Sequence, residues 1–188
     1  MTAGLLAGPR FTPCSRLLGL VFIAAAAASV SGCALFSGAP PESGAVIRGK
    51  ASAVADGNSI TVTDEHNKAL KVRLNAVDAP DLKQAFGGKA REALSAKVLS
   101  REVKLVVASV ESDDSILADV YVAGHWINKE MVAEGWAWYR MRFSHSQEMA
   151  DAENLARRSR LGLWADENPI PPHALRDLNS FPKPTLSK

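Results

Sequence analysis

Arg73, Asp78 and Asp81 are the residues whose types and spacing best suit chemistry in this chain. They lie in the stretch VRLNAVDAPD, residues 72–81, in which an alternating apolar run ends at a proline. A strand that ends in a rigid turn holds an arginine and two carboxylates near one another. Carboxylates bind hard cations and a guanidinium binds phosphate, so this stretch predicts a site for a metal ion and a phosphate group.

The surrounding pattern predicts the elements that position this site. Alternating apolar residues predict five strands, at about 49–55, 59–63, 69–77, 103–110 and 116–122. Apolar residues spaced by three and four predict helices at about 84–100, 128–134 and 146–160. This order favours an α+β fold, a five-stranded OB-fold β-barrel with about three flanking helices.

Composition and charge limit the classes of function. A length of 188 residues fits one domain with appendages. Residues 1–33 hold two of the 22 basic residues and none of the 20 acidic ones, so the rest of the chain is neutral. Charge alone therefore gives no argument for strong nucleic-acid binding. The two cysteines, Cys14 and Cys33, both precede the domain, so the domain relies on its core rather than on disulfides.

The N-terminus predicts export and lipid attachment. Arg10 and Arg16 precede an apolar run at 17–30 that is too short for a comfortable membrane span, and VSGC follows. This ending resembles the bacterial lipobox, which implies a signal peptide at 1–32 and a lipid on Cys33. A plain secretory signal or an uncleaved anchor is the alternative. The expected location is the cell envelope, and the outer membrane if the organism is Gram-negative.

The rest of the chain divides into three parts. Residues 33–45 are rich in small residues and proline and predict a flexible tether. Residues 46–166 form the predicted domain. Residues 167–188 form a proline-rich tail, which we expect to run extended along the surface and then to be disordered.

Six segments in order resemble the thermonuclease, or staphylococcal-nuclease-like, family. They are VADGNSITV, KVRLNAVDAPD, QAFGGKA, LADV, NKEMVAEGWAWY and AENLARRSRLGLW, and they cover roughly residues 46–164. The resemblance implies an OB-fold barrel with helices that hydrolyses DNA and RNA with calcium.

The resemblance also implies roles for individual residues. Asp78 matches a calcium-binding aspartate, and the backbone carbonyl of Ala79 matches a further ligand. Arg73 matches the arginine that binds phosphate. Asp81 stands where the family has the glutamate that positions or deprotonates the attacking water. This last position is the first of three departures from the motif.

The other two departures are Asn58 and Ser115. Asn58 replaces the first calcium aspartate, which removes one formal charge and should weaken calcium binding. Asp81 is one methylene shorter than glutamate, so it could miss the water or need a relay water. Ser115 replaces the second arginine, and losing such an arginine costs about 10³ or more in rate. We therefore expect calcium to bind weakly or not at all.

The acidic segment 111–114 lies where the family usually has a basic loop, and it would repel a polyanion. An alternative is that Asp113 or Asp114 supplies a compensating metal ligand. Loop acids are more often simply solvated.

Other candidate residues have plainer interpretations. His125 and His145 lack metal-binding spacing and predict surface or turn positions. The tryptophans could stack on bases, but their positions beside helix ends favour core packing. The basic cluster could contact phosphate, but it lies on the exposed side of a predicted helix. The tryptophans are Trp136, Trp138 and Trp164, and the basic cluster consists of Arg157, Arg158 and Arg160.

Two classes of function remain from the sequence. The favoured one is a catalytically impaired or non-catalytic domain of the cell envelope that binds nucleic acid or protein. The alternative is an active metal-dependent phosphodiesterase that cleaves DNA or RNA. We expect a monomer that contacts the membrane through its N-terminal lipid, and the sequence names no protein partner.

Overall fold

Five strands close into a barrel in the computed structural model of the chain, which describes residues 42–112 and 114–175. The strands in chain order are β1 (Val46–Val54), β2 (Ser59–Asp64), β3 (Ala69–Leu74), β4 (Val77–Asp78), β5 (Glu102–Ser112), β6 (Ser115–Val122), β7 (His125–Trp126) and β8 (Trp138–Tyr139). Strands β3, β2, β1, β5 and β6 pair antiparallel in that order, and a parallel pairing of β3 with β6 closes the barrel. Strand β4 pairs separately with β8.

The barrel strands follow the alternation that the sequence predicts. On β6, four residues two apart are buried, namely Ile116, Ala118, Val120 and Val122. On β3, Leu70, Val72 and Leu74 are buried in the same way. Because successive side chains point to opposite faces of a strand, this register turns Arg73 outward.

Three helices pack on the barrel, as the apolar spacing predicts. They are α1 (Gly87–Val98), α2 (Ile127–Ala133) and α3 (Gln147–Arg158). Helix α1 buries Ala90, Leu94 and Val98, which lie four residues apart on one face. Helix α3 begins at a cap, because the Ser146 hydroxyl accepts a hydrogen bond from the Met149 backbone N–H. The predicted α+β fold with a five-stranded OB-like barrel is confirmed.

Three short helical turns complete the described elements. Two are 3₁₀ turns at Met141–Phe143 and Gly162–Ala165, and a helical turn follows at 172–175. In the described part of the chain, no helix has the length and apolar character needed to cross a membrane. The predicted signal peptide, Cys33 and nearly all of the tether lie outside the described residues, as does the tail beyond residue 175.

A buried asparagine fixes the turn between β3 and β4. Asn128 on α2 is fully buried, and its Oδ1 accepts from the Val120 backbone N–H at 2.8 Å. Its Nδ2 donates to the carbonyl oxygens of Asn75 at 3.0 Å and Ala118 at 3.2 Å. These bonds satisfy buried backbone groups of β6 and hold the turn that leads into β4, the strand that carries Asp78.

Candidate active site

Two tight turns meet at the predicted site. In the turn between β1 and β2, Asp56 Oδ1 accepts from the Asn58 backbone N–H at 2.9 Å. Gly57 has no room for a side chain, since a Cβ there would lie 2.6 Å from the Ala79 Cβ and 2.7 Å from the Ala90 Cβ. The glycine therefore lets this turn press against the turn after β4 and against α1.

This contact places Asn58 beside β4. Asn58 is only 8% exposed, and its Nδ2 donates to the Val77 carbonyl oxygen at 3.2 Å. Its Oδ1 accepts from the Ser59 hydroxyl at 3.2 Å. The structure thus places Asn58 next to the strand that carries Asp78, with its amide held by two neighbours.

Asp78 lies between two side chains that can carry positive charge. It is 2% exposed, and its Oδ2 lies 3.9 Å from Arg140 Nη1 and 3.6 Å from His173 Nδ1. Arg140 directly follows β8, the partner strand of β4. Sequence reasoning missed both residues, because the β4–β8 pairing and the return of the chain at residue 173 are long-range contacts with no local signal.

Arg73 and Ser115 meet at a shared acid. Arg73 Nη1 donates to Glu111 Oε1 at 3.2 Å, and the Ser115 hydroxyl donates to Glu111 Oε2 at 3.2 Å. The parallel pairing of β3 with β6 brings the two positions together across the barrel seam. Glu111, at the start of the acidic segment 111–114, therefore binds Arg73 directly.

Asp81 lies at an exposed turn that reaches the C-terminal segment. Its backbone N–H donates to Gln84 Oε1 at 2.8 Å, and the Gln84 backbone N–H donates to the Asp81 carbonyl at 2.8 Å. Gln84 Nε2 also donates to the Ile170 carbonyl at 3.1 Å. The same segment brings His173 to Asp78, so the described start of the tail lies against this site.

Asp114 interacts with Ser112 and with Lys71, which lies on the outer side of β3. Its carboxylate accepts from the Ser112 hydroxyl at 3.0 Å and lies 3.4 Å from Lys71 Nζ. The hydrogen bond from Ser112 and the charge of Lys71 hold the pKa of Asp114 below its ordinary value. Asp113 lies outside the described residues. Within 42–112 and 114–175, no three His, Cys, Asp or Glu side chains group closely enough to hold a metal ion.

The remaining candidates take structural positions. Trp138 and Trp164 are each 8% exposed, with ring centroids 5.8 Å apart and edge to face, which confirms core packing for this pair. His125 is exposed and lies 3.0 Å from Glu130. The Arg157 guanidinium lies 3.8 Å from the centre of the Trp164 ring.

Comparison with known proteins identifies a matching family and several relatives. The family described as "Staphylococcal nuclease homologue" matches residues 71–166. The chain is 39% identical over 123 residues to an "Uncharacterized endonuclease" of Haemophilus influenzae, covering 65% of this chain and 69% of that protein. It is 32% identical over 127 residues to an "Uncharacterized endonuclease" of Escherichia coli, covering 67% and 82%.

A third relative also carries the name of a nuclease. A "Micrococcal nuclease" of Shigella flexneri is 36% identical over 132 residues, which covers 64% of this chain and 75% of that protein. The matched segment contains Arg73, Asp78, Ala79, Asp81 and Ser115, while Asn58 lies just before it. The barrel, its helices and these matches agree: the chain belongs to the staphylococcal nuclease homologue family.

Proposed function

We propose that the chain is a nuclease-family domain of the cell envelope that binds nucleic acid and has strongly impaired calcium-dependent hydrolysis. The observation that carries this proposal is the hydrogen bond from Asn58 Nδ2 to the Val77 carbonyl, 3.2 Å long. A carboxylate at this position has no N–H to donate, so residue 58 makes a bond that the family's aspartate would not make.

The surrounding donor set also fits calcium poorly. Calcium takes six to eight oxygen ligands and gains affinity from carboxylate charge. Here Asp78 supplies one carboxylate, Ala79 one carbonyl and Asn58 a neutral amide. Arg140 and His173 lie within 4 Å of the Asp78 carboxylate, where a positively charged side chain would compete with a cation. We therefore propose that calcium binds weakly or not at all.

The phosphate-binding half of the site is weakened in a second way. The Arg73 guanidinium is paired with Glu111, and Ser115 offers only a hydroxyl to the same carboxylate. A phosphate at Arg73 would have to displace Glu111 or tolerate its negative charge. Phosphoryl transfer depends on positioning and on stabilisation of developing charge, so both features support a low rate.

Location and assembly are proposed from the sequence. The lipobox-like VSGC at 30–33 supports lipid attachment at Cys33 and a position on the cell envelope, with the outer membrane as the Gram-negative destination. We propose a monomer that carries its domain on the 33–45 tether.

The second candidate is an active metal-dependent phosphodiesterase. It is supported by relatives named endonucleases and by Arg140, which lies 3.9 Å from Asp78 and brings an arginine to the site from a different element. In that case Asp78, Asn58 and the Ala79 carbonyl would take the ion, with Arg73 and Asp81 beside it.

A nuclease assay of the full-length chain separates the two candidates. Labelled single-stranded DNA is incubated with calcium, with magnesium or with chelator, and binding is measured in parallel in the chelator. We expect binding without appreciable cleavage. Clear calcium-dependent cleavage would overturn the impaired function in favour of the phosphodiesterase.

A further inference from the structure

A cleft of about 1200 Å³ opens beside Asp78. One wall follows β8 and the 3₁₀ turn at Met141–Phe143, and the other follows residues 164–173. Four arginines line it, and we call it the arginine cleft: Arg140, Arg142, Arg157 and Arg160. None of the positions that match the family's catalytic motif lines it.

The arginines come from three separate elements. Arg140 and Arg142 come from the segment after β8, Arg157 from α3, and Arg160 from the turn that ends α3. Arg142 and Arg160 are exposed and available to a ligand. Arg157 is held in place, because it lies over the Trp164 ring and its Nη2 is 3.3 Å from Glu153.

Three acids also line the arginine cleft, and two of them have local roles. Glu153 pairs with Arg157 and accepts from the Tyr139 backbone N–H at 3.1 Å. Asp166 accepts from the Asn168 backbone N–H at 3.0 Å. Glu167 is exposed at the mouth of the cleft. Four arginines against three acids leave the lining with a formal charge of +1, so the cleft favours an anion by a small margin.

The arginine cleft runs into the candidate site. Arg140 and His173 line the cleft and also lie within 4 Å of the Asp78 carboxylate. A ligand in the cleft would thus lead directly to Asp78. The indole rings of Trp138 and Trp164 are buried against each other, so the cleft offers guanidinium groups rather than free aromatic faces.

We propose that the arginine cleft is a second subsite that binds the backbone phosphates of a single-stranded nucleic acid whose neighbouring nucleotide reaches Asp78. This inference rests on the proposed nucleic-acid function. A recessed, positively charged groove can follow a single flexible backbone, and it contacts phosphate without reading sequence. Arg142 and Arg160 would contact phosphates directly, and Arg140 would join the two subsites.

The test is fluorescence anisotropy with labelled single-stranded oligonucleotides, using the full-length chain in chelator so that no cleavage occurs. The variant Arg142→Gln/Arg160→Gln removes two cleft charges without touching the Arg157–Trp164 contact. The control Arg48→Gln/Arg91→Gln removes two exposed charges elsewhere on the domain. Both double variants change the net charge equally, so a general charge effect cancels.

We expect the cleft pair to bind more weakly than the control pair, with a shallower dependence on salt. Each phosphate contact with a single strand contributes about 0.7 to the slope of log affinity against log salt. Losing two contacts lowers that slope by about 1.4, which is about a sevenfold difference between about 50 and 200 mM salt. An unlabelled duplex should compete poorly.

A gain-of-affinity variant guards against misfolding as an explanation. Glu167→Gln removes a negative charge from the cleft mouth and should tighten binding by about two- to threefold. If the wild type binds and the cleft and control pairs lose affinity equally, the proposed role of the arginine cleft as a subsite is overturned. The proposed function of the chain would still stand. Better competition by duplex than by single strand would also overturn the cleft as proposed. Absence of any wild-type binding at low salt would overturn both proposals.

Discussion

The side-chain amide of Asn58 donates to the Val77 carbonyl one residue before Asp78, at 3.2 Å. This bond links the turn between β1 and β2 to strand β4 by a neutral contact. In the family motif, an aspartate at the same position implies a bridging cation in its place. Asparagine and aspartate differ at this point by one nitrogen in place of one oxygen.

Asn58→Asp should destabilise the chain when no cation is present. The variant loses the donor to Val77 and sets a carboxylate against a buried carbonyl, which should cost about 1–3 kcal/mol. Saturating calcium should restore about 2.7 kcal/mol at 100 times Kd. Thermal unfolding with chelator and with calcium measures both effects. The wild type serves as the control. A melting temperature of the variant that does not change with calcium would contradict the prediction.

Glu111→Gln should strengthen nucleic-acid binding by releasing Arg73. The Arg73–Glu111 pair is partly exposed, so its loss should cost less than about 1 kcal/mol of stability. Affinity for single-stranded DNA should rise a few-fold, because a guanidinium becomes available and a negative charge is removed. Glu102→Gln, exposed on the same strand, is the matched control. An equal gain in both variants would point to net charge alone.

Asn58→Asp combined with Ser115→Arg and Glu111→Gln should gain calcium-dependent nuclease activity. The three changes restore a carboxylate ligand, return the second arginine and remove the acid that would neutralise it. An arginine in this role is worth about 10³ in rate, so a gain of at least about 10² over the wild type is expected.

The control for the triple variant replaces Ser115→Arg by Ser115→Lys. A lysine restores charge without the planar, bidentate geometry of a guanidinium, so it should recover much less activity. No gain in either triple variant, with folding intact, would mean that the site lacks more than these residues.

Asn128→Ala should be among the most destabilising single substitutions in the domain. Three hydrogen bonds from a fully buried side chain end, and the Val120 N–H and the Asn75 and Ala118 carbonyls lose partners. The expected loss is about 2–4 kcal/mol by denaturant unfolding. Asn154→Ala, exposed on α3, should change stability by less than about 0.5 kcal/mol. Similar losses in both variants would contradict the role given to Asn128.

Lys97→Met should flatten the pH dependence of stability. Burial lowers the pKa of Lys97, but hydrogen bonds to Glu130 and Glu134 outweigh it and leave the pKa above 10.5. The hydrogen bond from Lys97 lowers the pKa of Glu130 below its ordinary 4.5. The contribution of the Glu130 carboxylate to the free energy of unfolding is therefore complete above pH 4.5, and it is lost as pH falls through the lowered pKa of Glu130.

The contribution of the charged Lys97 side chain to the free energy of unfolding has the opposite pH dependence. It is complete below pH 10.5 and is lost as pH rises through the raised pKa. At pH 7 the variant should lose about 1 kcal/mol, and the difference from wild type should shrink in acid. Denaturant unfolding between pH 3 and 7 measures this, with Arg91→Met on the same helix as the control. A constant difference across that range would contradict the assignment.

The barrel was predictable from the sequence, whereas the residues that contact the candidate site were only partly predictable. Alternation on β3 and β6 and four-residue spacing on α1 are local patterns, and they place Arg73 correctly on β3. The strand predicted at 69–77 instead ends at Leu74, and Asp78 lies on the separate strand β4. Glu111 reaches Arg73 through the parallel closure of β3 with β6, which no local pattern reveals. Arg140 and His173 reach Asp78 through strand pairing and a returning segment, which are long-range contacts that no local pattern reveals.

Calcium titration by calorimetry of the full-length chain and of its Asn58→Asp variant measures whether Asn58 has disabled the calcium site. We expect no saturable heat for the wild type below about 1 mM calcium, the weak end of protein sites. For Asn58→Asp we expect a single site that binds calcium at least about tenfold more tightly. A wild-type site that saturates well below 1 mM, unchanged in the variant, would contradict the claim that Asn58 has disabled the calcium site.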